Sequence, residues 1–149
     1  MPVMGFTKFE RLFRAAAEVS VDRNDMQAYL DFVNEVVYDL LIIAQATAKA
    51  NARDVIDPWD LPITRGLQES TDAFRRLDTE IGLGPILDYI VMRPPLEVLL
   101  SDASATRLPI IAGGLSVALG RTFKIIDPNL KRPTREAWEQ AFRIFDLLV

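Results

Sequence analysis

The side chains that most often carry out catalysis or bind metals are absent from this sequence. Its 149 residues contain no cysteine and no histidine, which excludes disulfides, thiolate and imidazole metal sites, and Ser-His or Cys-His nucleophilic pairs. Two glycine groups, Gly82-Leu-Gly84 and Gly113-Gly114, lack the lysine and the third glycine of phosphate-binding loops. No carboxylates have the spacing of a calcium-binding loop. The sequence predicts no enzyme, no cofactor and no metal site.

Basic residues are the remaining group whose clustering suggests chemistry. The segment from Lys124 to Arg135 holds four basic residues against Asp127 alone, which would attract an anion. The whole chain, however, has 17 Lys and Arg against 21 Asp and Glu, a formal charge of -4. Because this mean field repels phosphate, any nucleic-acid role must depend on local clusters of positive charge.

Helical periodicity extends over nearly the whole chain, since apolar residues recur every three or four positions. Asp25, Asp57, Thr134 and either Ser101 or Asp102 are expected to cap the helices that follow them. Pro62 lies too deep in the third helix for a regular start, so a restart is expected near Leu61. The predicted helices cover residues 6–19, 26–51, 58 onward with a helical connector through 81, 85–92, 101–126 and 134–148.

The two long helices, 26–51 and 101–126, are expected to cross each other. The centre of the first, Leu40 to Ala44, is apolar nearly all round. Gly113 and Gly114 weaken the second and therefore favour a close backbone approach. We expect the Leu40 to Ala44 face to pack on these glycines, and both Trp59 and Trp138 to be packing anchors.

A pattern of short, long and short helices appears twice, in residues 6 to about 70 and about 84 to 149. Neither half is large enough to enclose a core around one long helix. The sequence therefore predicts one all-α domain, residues 1–149, in which the two halves pair within a single chain.

The segment Arg53-Asp-Val-Ile-Asp-Pro-Trp-Asp-Leu61 resembles the second loop and third-helix start of histone folds. With the repeated helix pattern, the chain resembles bacterial single-chain histone-fold pseudo-dimers, that is, tandem histone folds. The resemblance implies that Arg53 pairs with Asp60 as a structural clamp, although an exposed pair of this type contributes little stability. In the second half, Leu130 and Ala137 stand at the clamp positions, so no clamp is expected there.

The resemblance also implies weak, sequence-nonspecific binding of DNA backbone by paired loops, with an architectural role. The candidate contacts are the basic loop residues Arg23, Arg53, Arg93, Lys131 and Arg132. Two of them have acidic neighbours, Asp22 and Asp25 beside Arg23, and Asp54 and Asp57 beside Arg53, which cancel part of the field. Two simpler interpretations stay open: Arg53 serves the clamp only, and Lys131 and Arg132 form a solvated charge run.

An alternative function is a histone-fold interaction or assembly module that binds a protein partner or self-associates without binding DNA. The acidic balance of the chain favours this alternative.

The residues after Met1 lack the basic run and apolar stretch of a signal peptide, so none is expected. The longest apolar stretch, Leu40 to Ala44, is far shorter than the roughly 20 residues of a membrane span. The expected location is therefore cytoplasmic, and nucleoid-associated if DNA is bound, with no membrane contact.

Overall fold

A computed structural model describes residues 5–91 and 93–149. Over these ranges the chain is predominantly helical, with six α-helices and two short strands. Met1 to Met4, and the end of a helix expected at Met92, lie outside the described residues. In chain order the elements are α1 (Phe6–Ala17), α2 (Met26–Ala50), β1 (Val55–Ile56), α3 (Arg65–Ile81), α4 (Gly84–Ile90), β2 (Leu99–Leu100), α5 (Asp102–Ile126) and α6 (Arg135–Leu148).

Local capping signals set the starts of most long helices. The hydroxyls of Thr64, Ser101 and Thr134 each accept the backbone N–H three residues later at 3.1 Å, as N-cap residues do. The predicted cap at Asp25 is wrong, because its side chain accepts from the N–H of Asp22 instead. This hydrogen bond caps a single 3-10 turn, Arg23–Asp25, which precedes α2.

The third helix does restart after a break, as Pro62 predicted. Pro58–Asp60 forms one 3-10 turn, and α3 begins only at Arg65, behind its Thr64 cap. From there α3 runs without interruption to Ile81 and ends at Gly82, whose φ of 72° is the left-handed conformation that favours glycine. The boundary drawn near residue 70 therefore falls inside a continuous helix.

The core is built around α5, which packs against α1, α3, α4 and α6. By length and composition alone α5 is apolar enough to cross a membrane. In this structure most of its apolar stretch is buried. Its apolar character is thus that of a core helix.

The close approach expected at Gly113 and Gly114 exists, but α3 makes it rather than α2. A Cβ at Gly114 would lie 2.9 Å from the Cα of Thr71, and one at Gly113 would overlap the ring of Phe74. The prediction that Leu40 to Ala44 packs on these glycines is therefore wrong. Helix α2 instead meets α5 where the hydroxyls of Tyr29 and Ser116 hydrogen-bond at 2.5 Å.

Helix α2 is not covered all round at its centre. Leu40, Leu41 and Ala44 are buried, but Ile42 and Ile43 are 38% and 53% exposed. The tryptophans also differ, because Trp138 is buried among Phe13, Phe123 and other rings, whereas Trp59 is 76% exposed. The prediction of a packing anchor is confirmed for Trp138 and wrong for Trp59.

Candidate nucleic-acid interface

Loops from opposite halves of the chain lie side by side at two places. At one, β1 after α2 pairs in parallel with β2 before α5, with Val55 opposite Leu99. At the other, the N–H of Ser20, before α2, donates to the carbonyl of Lys131, after α5, at 2.7 Å. Four of the five candidate DNA contacts, Arg23, Arg53, Lys131 and Arg132, therefore lie in these contacting loops. The fifth, Arg93, lies in the segment that leads to β2.

We call residues 20–25 and 124–135 the basic loop pair, because they carry five basic and three acidic side chains. Residues 49–60 and 93–101 are the clamped loop pair, with three basic and four acidic side chains. The sequence shows the cluster at 124–135 but does not show that Arg23, about a hundred residues earlier, lies beside it. The division of the candidate cations between the two loop pairs is therefore determined by the fold.

In the basic loop pair the candidate cations are exposed. Arg23 lies over the ring of Phe6, with its guanidinium carbon 5.1 Å from the ring centre, an arrangement that holds the side chain without neutralising it. Arg14, Arg23 and Arg132 line one surface depression together with Asp22 and with Glu10, which pairs with Arg14. Lys131 and Arg132 are exposed, and neither has an ion pair within the described residues.

The carboxylates of the basic loop pair are engaged by backbone groups. Asp22 accepts the N–H of Asn24 at 2.6 Å, Asp25 accepts that of Asp22 at 3.0 Å, and Asp127 accepts that of Asn129 at 3.0 Å. Burial raises the pKa of Asp25, against the opposing effects of the Asp22 N–H and the positive charge of Arg132. These carboxylates therefore shape the turns while reducing, but not cancelling, the local positive field.

In the clamped loop pair, Arg53 is held by carboxylates. Its two terminal nitrogens donate to the two oxygens of Asp60, each at 2.7 Å, and Nη1 also donates to Asp57 at 3.0 Å. The guanidinium lowers the pKa of Asp60 to about 2. The expectation of a largely exposed pair is wrong on the acidic side, because Asp60 is 3% exposed.

Arg93 and Lys49 are also paired. Arg93 donates to Asp88 of α4 at 3.1 Å, and Lys49 pairs with Glu97, whose pKa it lowers. Among the described residues, every basic side chain of the clamped loop pair is therefore matched by a carboxylate. A phosphate that contacted Arg53 or Arg93 would have to compete with these pairs.

Sequence reasoning missed two features beside these loops. Trp59, in the turn that Asp60 closes, presents most of its indole to solvent. The exposed apolar residues of α2 and of the C-terminus, described below, form a second surface. Helical periodicity marks such positions as apolar but does not reveal whether another element covers them.

Comparison with known proteins places the whole chain among proteins of this architecture. A crystal structure of a Thermus thermophilus protein is 46% identical, with a TM-score of 0.86 over 96% of this chain and 97% of the other. A crystal structure of an Aquifex aeolicus protein is 28% identical, with a TM-score of 0.84 over 97% of this chain and 95% of the other.

A curated relative described as an uncharacterized protein of Aquifex aeolicus strain VF5 is 28% identical over 142 residues, 95% of this chain and 82% of that protein. Residues 9–146 match the family DUF1931, described as a domain of unknown function. Because the match covers nearly all of the sequence, the chain belongs to the DUF1931 family.

Proposed function

We propose that this chain is a tandem histone-fold protein that binds DNA backbone weakly, without reading sequence, through its basic loop pair. The tandem pairing is supported by the reciprocal loop contacts. The loop after α2 pairs with the strand before α5, and the loop before α2 is bonded to the loop after α5. Two histone-fold halves related by an approximate two-fold axis would produce such a reciprocal pair of contacts, because the loop after the long helix of each half would then lie beside the loop before the long helix of the other.

A single observation carries the DNA proposal. The hydrogen bond between Ser20 and Lys131 joins the loop of Arg23 to the loop of Lys131 and Arg132, so exposed cations distant in sequence share one end of the molecule. Proteins that hold DNA by its backbone use such clusters of Arg and Lys, and reading of base edges is not needed. Arg53 and Arg93 are omitted from the proposed site because their guanidinium groups are already paired.

The test is a mobility-shift titration with a duplex of about 30 base pairs at ~50 mM salt, because phosphate contacts are strongest at low ionic strength. We expect a shift with the unmodified protein and its loss in Lys131→Glu/Arg132→Glu. The matched control is Arg75→Glu/Arg76→Glu, which makes the same change of net charge on the exposed side of α3. No shift with the unmodified protein, or equal loss in both variants, would exclude the basic loop pair as the site.

The alternative function, an assembly module without DNA binding, is favoured by two observations. The net charge is -4, and several large apolar side chains are more than half exposed, including Ile43 and Leu148. This alternative predicts no mobility shift at any salt concentration. It also predicts a defined oligomer by light scattering, or a stoichiometric protein partner in a co-purification.

A further inference from the structure

A long groove runs beside α2 and α6, and none of its lining residues belongs to either loop pair. Its first part has a volume of about 400 Å³ and an aromatic floor. The rings of Phe32 and Phe142 are stacked with centres 5.0 Å apart, and Phe145 meets Phe32 edge-on at 4.9 Å. These contacts between α2 and α6 make the floor a fixed surface, since both helices supply rings to it.

The groove continues into a second apolar depression of about 450 Å³. The two depressions share Asp39 and Val149 in their linings. Ile42 and Ile43 of α2 and Leu148 of α6 line the second part, and Ile43 and Leu148 are 53% and 74% exposed. Ile42 and Ile43, which belong to the apolar centre of α2 that the sequence suggested would be covered, therefore form part of the wall of an open groove.

The rim of the groove is mainly acidic, since Asp31, Glu35, Asp39 and Asp146 line it together with a single arginine, Arg143. Asp31, Glu35 and Asp39 stand four residues apart on α2 and line the groove together, so their Cα atoms follow one another at about 6 Å along the helix axis. Carboxylate oxygens of Glu35, Asp39 and Asp146 lie within 4.8 Å of one another. None of these three has an ion pair within the described ranges 5–91 and 93–149.

We propose that this groove is a docking site for a basic amphipathic helix of another protein. An apolar trough rimmed by carboxylates complements a helix whose apolar side chains alternate with Lys or Arg on the flanks. Carboxylates on successive turns of α2 match basic residues on successive turns of such a helix. The partner's cations would also relieve the repulsion between Glu35, Asp39 and Asp146, which gives the complex an electrostatic driving force.

Charge argues against two other occupants. A symmetric second copy would bring four rim carboxylates of one groove against four of the other, with only Arg143 on each side to offset them, which is unfavourable. An anionic lipid surface would be repelled for the same reason. A basic helix satisfies both the apolar floor and the acidic rim. The proposal is independent of DNA binding, because no residue of the basic loop pair lines the groove.

The test is fluorescence anisotropy with a labelled 18-residue helix of Leu and Lys, whose lysines follow i, i+4 and i+7 spacing. A peptide of the same composition with scrambled order, which lacks an apolar face, is the peptide control. We expect saturable binding of the amphipathic peptide at micromolar concentrations and at least tenfold weaker binding of the scrambled one. Equal binding of the two peptides, or no saturable binding up to ~100 μM, would overturn the proposal.

Two protein variants separate the contribution of the acidic rim from that of the exposed apolar wall. Glu35→Gln/Asp39→Asn removes two rim charges and should weaken binding about tenfold, whereas Glu69→Gln/Asp72→Asn removes the same charge from α3 and should change it less than twofold. Ile43→Ser/Leu148→Ser alters exposed positions and should weaken binding without loss of helical circular dichroism. If both acidic variants weakened binding equally, the peptide would be responding only to the net charge of the protein, and the proposed site would be overturned.

The oligomeric state completes the test. We expect a monomer by light scattering at the concentrations used for anisotropy. A dimer that Ile43→Ser/Leu148→Ser dissociates would show that a second copy occupies the groove, which contradicts the proposed partner.

Discussion

Arg53 and Asp60 are joined by two hydrogen bonds, each 2.7 Å long, between the terminal guanidinium nitrogens and the two carboxylate oxygens. The same carboxylate accepts the N–H of Asp57 at 2.8 Å, and Arg53 also donates to the carbonyl of Val55 at 3.3 Å. One buried side chain thereby fixes the turn after β1. Because β1 pairs with β2, this clamp orders a contact between the two halves of the chain.

Replacing Asp60 by Ala should lower the free energy of unfolding by about 2 kcal/mol, because three hydrogen bonds lose their acceptor in a buried place. The matched control is Glu69→Ala, whose pair with Arg65 is exposed on both sides and should cost at most ~0.5 kcal/mol. Urea denaturation of both variants measures the difference. Equal losses would show that the clamp contributes no more than a surface ion pair.

Stability should fall in acid partly through Asp60. Its pKa is about 2 in the folded chain against an ordinary value of 3.8, so its contribution is complete above pH ~4 and is lost as the pH falls towards 2. Burial raises the pKa of Asp25, so protonation of this side chain in acid favours the folded state and partly offsets the loss at Asp60. We expect the urea midpoint to drop more steeply between pH 4 and 2.5 in the unmodified protein than in Asp60→Asn. Parallel curves would contradict this.

Gly114→Ala should destabilise the protein by about 1 to 3 kcal/mol, since the added methyl group would lie within 3.0 Å of the backbone of Thr71. Gly66 is the matched control, because a Cβ there has no atom within 4 Å. Gly66→Ala, near the start of α3, should raise stability by up to ~1 kcal/mol. Thermal unfolding gives both values, and a neutral Gly114→Ala would refute the close packing of α3 on α5.

The hydroxyls of Tyr29 and Ser116 form a buried link between α2 and α5, and burial raises the pKa of Tyr29 above its usual range. Tyr29→Phe should cost about 1 kcal/mol. Ser116→Ala should cost a similar amount, and the double variant should cost clearly less than the sum. Strict additivity in a double-mutant cycle would mean that the two hydroxyls do not stabilise each other.

Local signals made much of the helical structure predictable. Thr134 opens its helix as expected, and Ser101 is the cap of the two candidates Ser101 and Asp102, because capping depends on residues only three positions away. The Arg53–Asp60 pair, seven residues apart, was expected from its resemblance to a histone-fold loop. Each of these features lies within a few residues of chain.

Features that depend on distant packing were not predictable in the same way. Gly113 marks a close approach, but nothing in its neighbourhood identifies Phe74 rather than α2 as the partner. Trp59 and Trp138 follow similar local patterns, yet only one is covered. The contact between Ser20 and Lys131 joins residues far apart along the chain, and the grouping of the exposed cations depends on it.

The salt dependence of DNA binding should report how many cations act. If Arg23, Lys131 and Arg132 are the phosphate contacts, the logarithm of the binding constant should fall with the logarithm of salt concentration with a slope of roughly -3. Arg23→Gln should reduce the slope by about one, while Arg93→Gln should leave it unchanged, because Arg93 is paired with Asp88. Anisotropy titrations between ~30 and 150 mM salt measure these slopes. A reduction by Arg93→Gln as large as that by Arg23→Gln would move the interface to the clamped loop pair.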